Sequence, residues 1–493
     1  MTLHLSSLVR FFCVVTMLAI WLSGVQNGLA GSWSAIGFLG VVFLFTSRRE
    51  TRRQPLTLLL SLALLFYFGL RLWDLYVIDL NAIGSFFPVG RAVQEGVGGR
   101  AMPFAMISCF LMYSGLALAG RPNAGPGKPP YADFEPFHLD VDKSLLFRIL
   151  LAYIILEGVL NFGYVFTRGA GFVAKLLAVV ASHEGLIPIA AMAFVGTGKS
   201  GLRRLYVLFA GIMVSGVLAG WRSAPVDIAE IMLAWAVIPG NWNGTLRVSF
   251  KTFLLAIGLI VMSGVMFVVA TTLRQNALNL SSGPDPLSLL GSWDNIQNLL
   301  VLSYQQIAYR VGTNMDALLY VFSSSYDRVY ADAHVNLTTV LQTTLRTVFF
   351  IPVPNGVAFD EYAFAALLGN RGSYVNGAFI PTGYSWGIFG YFYQICGYWA
   401  WPVLFALFLT IGKAFQRLAR AKASLVRDIG MYCIAHAMEL LVPMFGIANM
   451  FGRYRGLAVT FLAIAVLMPV LRRRRKAQPG SVAGEGPAQA GSG

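Results

Sequence analysis

Charge is what this sequence lacks most. Only 12% of its 493 residues are Asp, Glu, Lys or Arg, about half of the roughly 25% that a soluble domain carries. The apolar set AVILMFWYC supplies 57%, and mean hydropathy is +0.66. A chain of this length could otherwise hold about three soluble domains; this one must place most of itself in lipid. Cysteine is equally scarce. Cys13, Cys109, Cys396 and Cys433 each sit in an apolar run, which suits membrane helices and excludes a disulfide scaffold. The motifs of soluble enzymes are missing as well: no GxxxxGK[ST] loop, no HExxH, no CxxC and no GxSxG. Their absence argues against an ATP-driven pump, a zinc protease and a hydrolase elbow. The GTGKS at 196–200 lacks the first glycine at the required distance and lies in a basic turn.

What is present is a succession of uncharged stretches near the roughly 20 residues that a helix needs to cross hydrocarbon. Twelve are predicted, at 9–28, 32–47, 55–73, 102–120, 146–166, 172–196, 205–221, 224–239, 252–273, 384–411, 429–448 and 456–471. The expected fold is therefore an all-α polytopic membrane protein of about twelve spans. Residues 1–273 form a membrane domain of nine spans, 274–383 a large outer loop containing short helices, and 384–471 a membrane domain of three spans. A basic and then disordered tail, low in complexity after Gln478, occupies 472–493. Arg10, the apolar run from Phe11 and the small-x-small triplet at 28–30 also fit a cleavable signal in place of the first span.

The cations set the orientation. With the amino terminus inside, 23 of the 37 Lys and Arg residues fall on inner connections and 12 on outer ones, although the outer segments are longer; Arg71 and Arg148 fall within spans. This is the positive-inside pattern, and it puts both termini in the cytoplasm. The net charge of +15 then needs no nucleic acid partner. Much of it is topogenic, and the run Arg472 to Lys476 suits anionic headgroups of the membrane lipid.

Function is sought in the long outer loop, since about 110 residues far exceed a median connection of about 4 to 6. It carries Tyr304, Tyr309, Tyr320, Tyr326, Tyr330, Tyr362 and Tyr374, with Tyr384 at its end, beside Arg310, Arg328, Arg346 and Arg371. Tyrosine presents a flat apolar face with a polar tip, and arginine a planar fork for phosphate oxygens. Together they suit a ligand with sugars at one end and a lipid diphosphate at the other; an interfacial aromatic belt with surface arginines is the plainer alternative. Arg222, in the break GWRSAP at 220–225, and Arg453 and Arg455, in NMFGRYR, add outer cations against the topogenic bias. Inside the spans, Glu157 lies on a stripe with Tyr153, Asn161 and Tyr164. His183 and Glu184 stand beside Pro188, where an interruption of the sixth span is expected, and His436 shares a face with Glu439. Such groups are functional candidates by default, yet none has the ligand density of a metal site. No metal or cofactor is expected.

The stretches GWRSAPVDIAEIMLAW at 220–235 and PTGYSWGIFGYFYQICGYW at 381–399, with the span count and the large loop before the last spans, resemble the O-antigen, or oligosaccharide repeat-unit, polymerases (Wzy-type) of the bacterial inner membrane. Trp221 stands where that family usually has a small residue, and Tyr384 with Ser385 where it often has an acid. The resemblance implies a membrane glycosyltransferase acting on undecaprenyl-diphosphate-linked oligosaccharide at the periplasmic face, with a flippase and a chain-length regulator as partners. For the leaving diphosphate it points to Arg222, Arg310 and Arg346, with Arg453 and Arg455 in reserve and Tyr304 and Tyr384 against the sugars. For a proton acceptor it points to Asp316, His334, Asp360 or Glu361. An O-antigen ligase shares the plan, and a twelve-span secondary transporter is the rival of another class.

Overall fold

The computed structural model describes residues 2–48, 54–77, 96–120, 141–167, 183–194, 198–218, 247–249, 314–322, 373–375, 378–380 and 387–444, with single helical positions at 228, 232–234, 297, 458, 462, 466 and 469. Nearly all of it is helix. Four runs are long and apolar enough to cross a membrane: Leu5–Val25, Pro55–Trp73, Gly98–Ala119 and Gly387–Arg420; Ser32–Ser47 is a shorter apolar helix. The expectation of a helical membrane protein stands on these. Two three-residue ladders accompany them, β1 (Thr2–His4) antiparallel to β2 (Arg247–Ser249) and β3 (Ser373–Val375) to β4 (Ala378–Ile380).

The chain divides into two compact units, the first formed by Met1–Phe137 and Pro225–Tyr454. In it, α1 (Leu5–Ile20) ends in a π-turn, Trp21–Val25, and α2 (Ser32–Ser47) returns antiparallel to it. The turn between them closes on Gly31, whose φ of 88° is a left-handed conformation that favours glycine. α3 (Pro55–Leu64) opens on a proline, which has no N–H to waste in a first turn. Through a π-turn, Leu65–Gly69, it runs into α4 (Leu70–Tyr76). Because α3 is apolar on every side, it must be surrounded. All but Leu62 of its ten residues are buried, with α11 packed on one side and α1, α2 and α5 on others.

α5 (Gly98–Ala119) and α10 (Ala400–Arg420) form the broadest helix contact, running in the same direction. Glycine allows it: a Cβ on Gly115 would meet the Phe405 carbonyl oxygen at 2.6 Å, and one on Gly412 would meet the Ala119 Cβ at 2.5 Å. Small residues at such crossings let backbones approach where lipid supplies no hydrophobic drive. α9 (Gly387–Cys396) precedes α10 and is separated from it by a 3-10 turn, Gly397–Trp399, with Gly397 at a φ of 58°. The single span expected at 384–411 is thus two helices, because Gly397 breaks it. α11 (Leu425–Met444) follows a short turn in which Arg427 donates to Asp428 at 2.6 Å and to the Ala421 carbonyl at 3.2 Å. Two hydroxyls within the bundle bond back to their own helix, Thr46 to Val42 at 2.8 Å and Ser61 to Thr57 at 2.7 Å. That is the satisfaction a hydrocarbon setting requires.

The second unit comprises His138–Ala224 and Arg455–Gly493. Its α6 (Lys143–Thr167), α7 (His183–Phe194) and α8 (Gly198–Leu218) pack on one another. Phe147 meets Phe194 edge to face at 6.3 Å, and Gly158 lets Ser215 approach. α7 is a continuous helix with Pro188 inside it, so the interruption expected there does not occur between His183 and Phe194. Pro188 is the sixth residue of α7, so it gives up one internal N–H bond without ending the helix. The spans expected at 224–239, 252–273 and 456–471 lie almost wholly outside the described residues.

Candidate functional site

One buried ion pair in the first unit joins residues far apart in sequence. Residues 314–321 are helical, and every residue from Asn314 to Phe322 is buried. Tyr320, one of the loop tyrosines, is among them. The sequence assigned this stretch to the outer loop, and its helical patches to 299–309 and 338–350; the helix that is described lies between those patches and inside the bundle. Its apolar face explains the position. Met315, Ala317, Leu318 and Leu319 leave it no amphipathic surface to float on water, so it is covered all round.

Asp316 lies on this helix. Its carboxylate accepts two hydrogen bonds from Arg71 of α4, Nε to Oδ1 at 2.9 Å and Nη2 to Oδ2 at 3.1 Å. Both side chains are almost wholly buried, with 1% and 4% exposure. The fork matches a carboxylate in geometry as well as charge. Desolvating two ions costs several kcal/mol each, which only such bidentate geometry offsets. The carboxylate is therefore held as an ion and shielded from solvent. It is not placed as the accessible proton acceptor that the sequence proposed.

The helix has neighbours at 314 and 322 too. Beside its Asn314 lies Gly387, the first residue of α9, with a φ of 63°; a Cβ there would meet the Asn314 Cβ and Oδ1 at 3.1 Å. At its end, Arg100 of α5 donates Nη2 to the Phe322 carbonyl oxygen at 3.2 Å, a cation on a terminal carbonyl. The Phe322 ring lies on Tyr393 of α9 with centroids 4.0 Å apart. Phe104, one turn below Arg100, contacts Phe322, Tyr393, Tyr398 and Trp401 at 5.1 to 6.0 Å. The described part of this helix and α9 thus meet at one buried contact, Asn314 with Gly387, and both run toward the end of the bundle marked by Gly98 and Arg100. The ten residues of α9 rise only about 15 Å, half of a hydrocarbon core, before the turn at Gly397. Below Tyr393 the wall of this pocket is aromatic: Phe389 touches Phe38 at 6.3 Å and Phe68 at 4.9 Å. A small cavity beside it is lined by Leu29, Ala30, Leu75, Tyr76, Gly98 and Leu319.

Of the candidate site residues, Asp316 alone falls among the described residues. His334, Asp360, Glu361, Arg222, Arg310, Arg346, Arg453, Arg455, Tyr304 and Tyr384 lie outside them. Sequence reasoning set Arg71 aside as a cation belonging to neither face, and did not single out Arg100. The signal was available for Arg71: an arginine within an apolar run requires a buried anion. His436 and Glu439 of α11 do come together, Nδ1 to Oε2 at 3.4 Å with Tyr432 stacked on the imidazole at 5.7 Å. Both are buried. Among the described residues no group of three or more His, Cys, Asp and Glu could hold a metal ion. The side chains of Glu157, His183 and Glu184 lie outside the description.

No protein-family model, curated protein or solved structure matches this chain. The class that the described residues define is that of a helical membrane protein with a buried charge pair.

Proposed function

We propose that this chain is a multi-pass glycosyltransferase of a bacterial inner membrane, with about twelve spans, both termini cytoplasmic and a long periplasmic loop. It polymerises undecaprenyl-diphosphate-linked oligosaccharide repeat units into a surface polysaccharide such as an O-antigen, capsule or exopolysaccharide. The growing glycan passes from its carrier to the non-reducing sugar of an incoming unit. A C–O bond to undecaprenyl diphosphate breaks, a glycosidic bond forms and the acceptor hydroxyl loses its proton. Arg222, Arg310 and Arg346, backed by Arg453 and Arg455, stabilise the departing diphosphate, and Tyr304 and Tyr384 line the sugars. His334, Asp360 or Glu361 accepts the proton.

One observation carries this reading: a piece of the Arg- and Tyr-rich loop, 314–322, is buried in the helical body against the start of α9. This piece of the loop is then part of the helical body and not a passive connection. Arg310 stands four positions ahead of Asn314 in sequence, and Tyr384 three ahead of Gly387. One cationic and one aromatic candidate are thus close in sequence to the two buried segments. A flippase delivering the units and a chain-length regulator are the partners this activity requires.

The size profile of surface glycan from a deletion strain, with and without the restored gene, tests the reading. Long ladders collapsing to a single lipid-attached repeat support it. Polymer accumulating on its carrier without attachment indicates an O-antigen ligase instead. An unchanged profile favours a secondary transporter, for which the buried His436 and Glu439 pair is the supporting observation.

A further inference from the structure

We propose that the paired helices α6 and α8 bind one anionic phospholipid of the cytoplasmic leaflet, its phosphate held by Arg148, Lys199 and Arg203. The inference does not depend on the glycosyltransferase reading and rests on the second unit alone. Three contacts fix how these helices lie. Arg204 sits over the Phe147 ring at 6.0 Å, Gly211 lies against Ile154, and Gly158 lies against Ser215. The separation in sequence is the same, 57 positions, for all three pairs. A constant offset means that α6 and α8 run parallel and level with each other, so both enter from the end that the charge count puts inside.

This register decides which side chains share a face, because each residue of a helix turns through about 100°. Arg148, Ala152, Ile155 and Val159 form a row one position after the α6 row that contacts α8. Arg203, Val207, Ala210 and Val214 form a row one position before the α8 row that contacts α6. In a parallel pair, one step forward on one helix and one step back on its neighbour bring both rows to the same side of the seam. All eight residues are exposed, and exposed Lys199 extends the second row by a turn. Each row is thus an apolar strip with a cation at its foot, and the two arginines differ by only about 3 Å in height. Arg148, Lys199 and Arg203 form no hydrogen bond or ion pair among the described residues. Asp142, the acid nearest Arg148 in sequence, accepts instead from the Ser144 and Leu145 N–H groups at 2.9 and 3.0 Å. Two adjacent strips suit two acyl chains, and three unneutralised cations below them suit a headgroup of net negative charge. An arginine set inside an apolar run reaches such a headgroup along its own alkyl stem, which accounts for the cation that falls within the fifth expected span.

The test titrates purified full-length protein in detergent with phosphatidylglycerol, phosphatidylcholine or glycerol phosphate and counts bound molecules by native mass spectrometry. The parent is expected to hold phosphatidylglycerol about tenfold more tightly than phosphatidylcholine, and glycerol phosphate not at all. Arg148→Gln with Arg203→Gln should weaken phosphatidylglycerol by about tenfold or more, each cation contributing about fivefold. Lys413→Gln with Arg417→Gln, at exposed cations of α10, should stay within about twofold of the parent. Equal affinity of the parent for the two lipids overturns the proposal whatever the variants do. So does unchanged phosphatidylglycerol binding in the Arg148 and Arg203 variant, or an equal loss in the α10 variant. Glycerol phosphate binding as tightly as the lipid overturns the acyl-chain strips. If the double variant does not fold, Arg148→Gln and Arg203→Gln are read singly, and full affinity in both overturns the site.

Discussion

The Phe405 carbonyl oxygen occupies the place that a Cβ on Gly115 would need, 2.6 Å away, and the Leu409 nitrogen lies 2.9 Å from the same point. Both obstacles are backbone, so no rotamer change relieves them. Gly115→Val is expected to cost about 1 to 3 kcal/mol by overpacking the α5 and α10 contact. Gly40 in α2 is the control, since nothing lies within 4 Å of its Cβ position. Thermal melting in detergent should show Gly115→Val lowered and Gly40→Ala at or above the parent, helped by alanine's greater helix propensity.

Ser61 and Tyr113 join α3 to α5 through a buried hydroxyl contact of 2.6 Å. Ser61 donates its own proton to the Thr57 carbonyl oxygen, which leaves Tyr113 as the donor in the pair. Tyr113→Phe removes that donor while Ser61 keeps its bond to Thr57. The expected loss is about 0.5 to 1.5 kcal/mol, read as a small drop in melting temperature. Ser61→Ala should cost at least as much, because it strands the tyrosine hydroxyl between helices. Equal stability of all three proteins would show that this contact contributes nothing.

The helical plan was legible because lipid imposes one demand on every span: a long apolar run with its backbone bonded internally. Ser32–Ser47 matches the expected 32–47, and Pro55–Tyr76 begins where the proline indicates. Two features were not legible, for a shared reason. Residues 314–321 fall in a stretch that hydropathy over a window of about 19 residues assigns to a loop. α9 and α10 read as one long run because Gly397 looks like any glycine in an apolar stretch. The partner of Arg71 was hidden by distance, since 245 positions separate it from Asp316 and no local spacing rule reaches that far. Asp316 was selected for its chemistry, but its environment could come only from the fold.

Removing one member of the Arg71 and Asp316 pair strands the other as a buried ion, at a cost of about 3 to 5 kcal/mol. Arg71→Met alone is expected to reduce folded protein sharply, and so is Asp316→Leu alone. The double variant Arg71→Met with Asp316→Leu should recover most of the loss, because neither charge is then stranded. Melting temperatures of the four proteins form a double-mutant cycle. Additive losses, with no recovery in the double, would mean that the ions do not depend on each other for burial.

If the outer arginines stabilise a departing diphosphate, their loss should remove activity without removing the protein. Arg222→Ala and Arg346→Ala are expected to abolish polymer in the restored deletion strain while membrane insertion and amount stay at the parental level. Removing a preorganised donor of this kind typically costs about 100- to 1000-fold in rate. Arg417→Ala, at the opposite face by charge count, serves as the matched control and should leave the ladder intact. Full polymer from both outer variants would remove the diphosphate-binding assignment.

Sidedness can be checked with contacts that lie at the two ends of the bundle. β1 pairs Leu3 with Val248, and the charge count puts both of their segments inside. At the other end, Tyr76 donates to the Ala30 carbonyl oxygen at 3.3 Å and Arg100 to Phe322, joining segments that the same count puts outside. Contacts at each end thus link only connections assigned to one face. In a protein with its four cysteines replaced, Asn27→Cys and Lys422→Cys are both exposed and fall at opposite ends. An impermeant maleimide applied to spheroplasts should label Asn27→Cys, and Lys422→Cys only after lysis. The reverse pattern would turn the molecule over. The candidate arginines would then face the cytoplasm, where no lipid-linked polymer is assembled under the proposed reaction, and the glycosyltransferase reading would fall with the orientation.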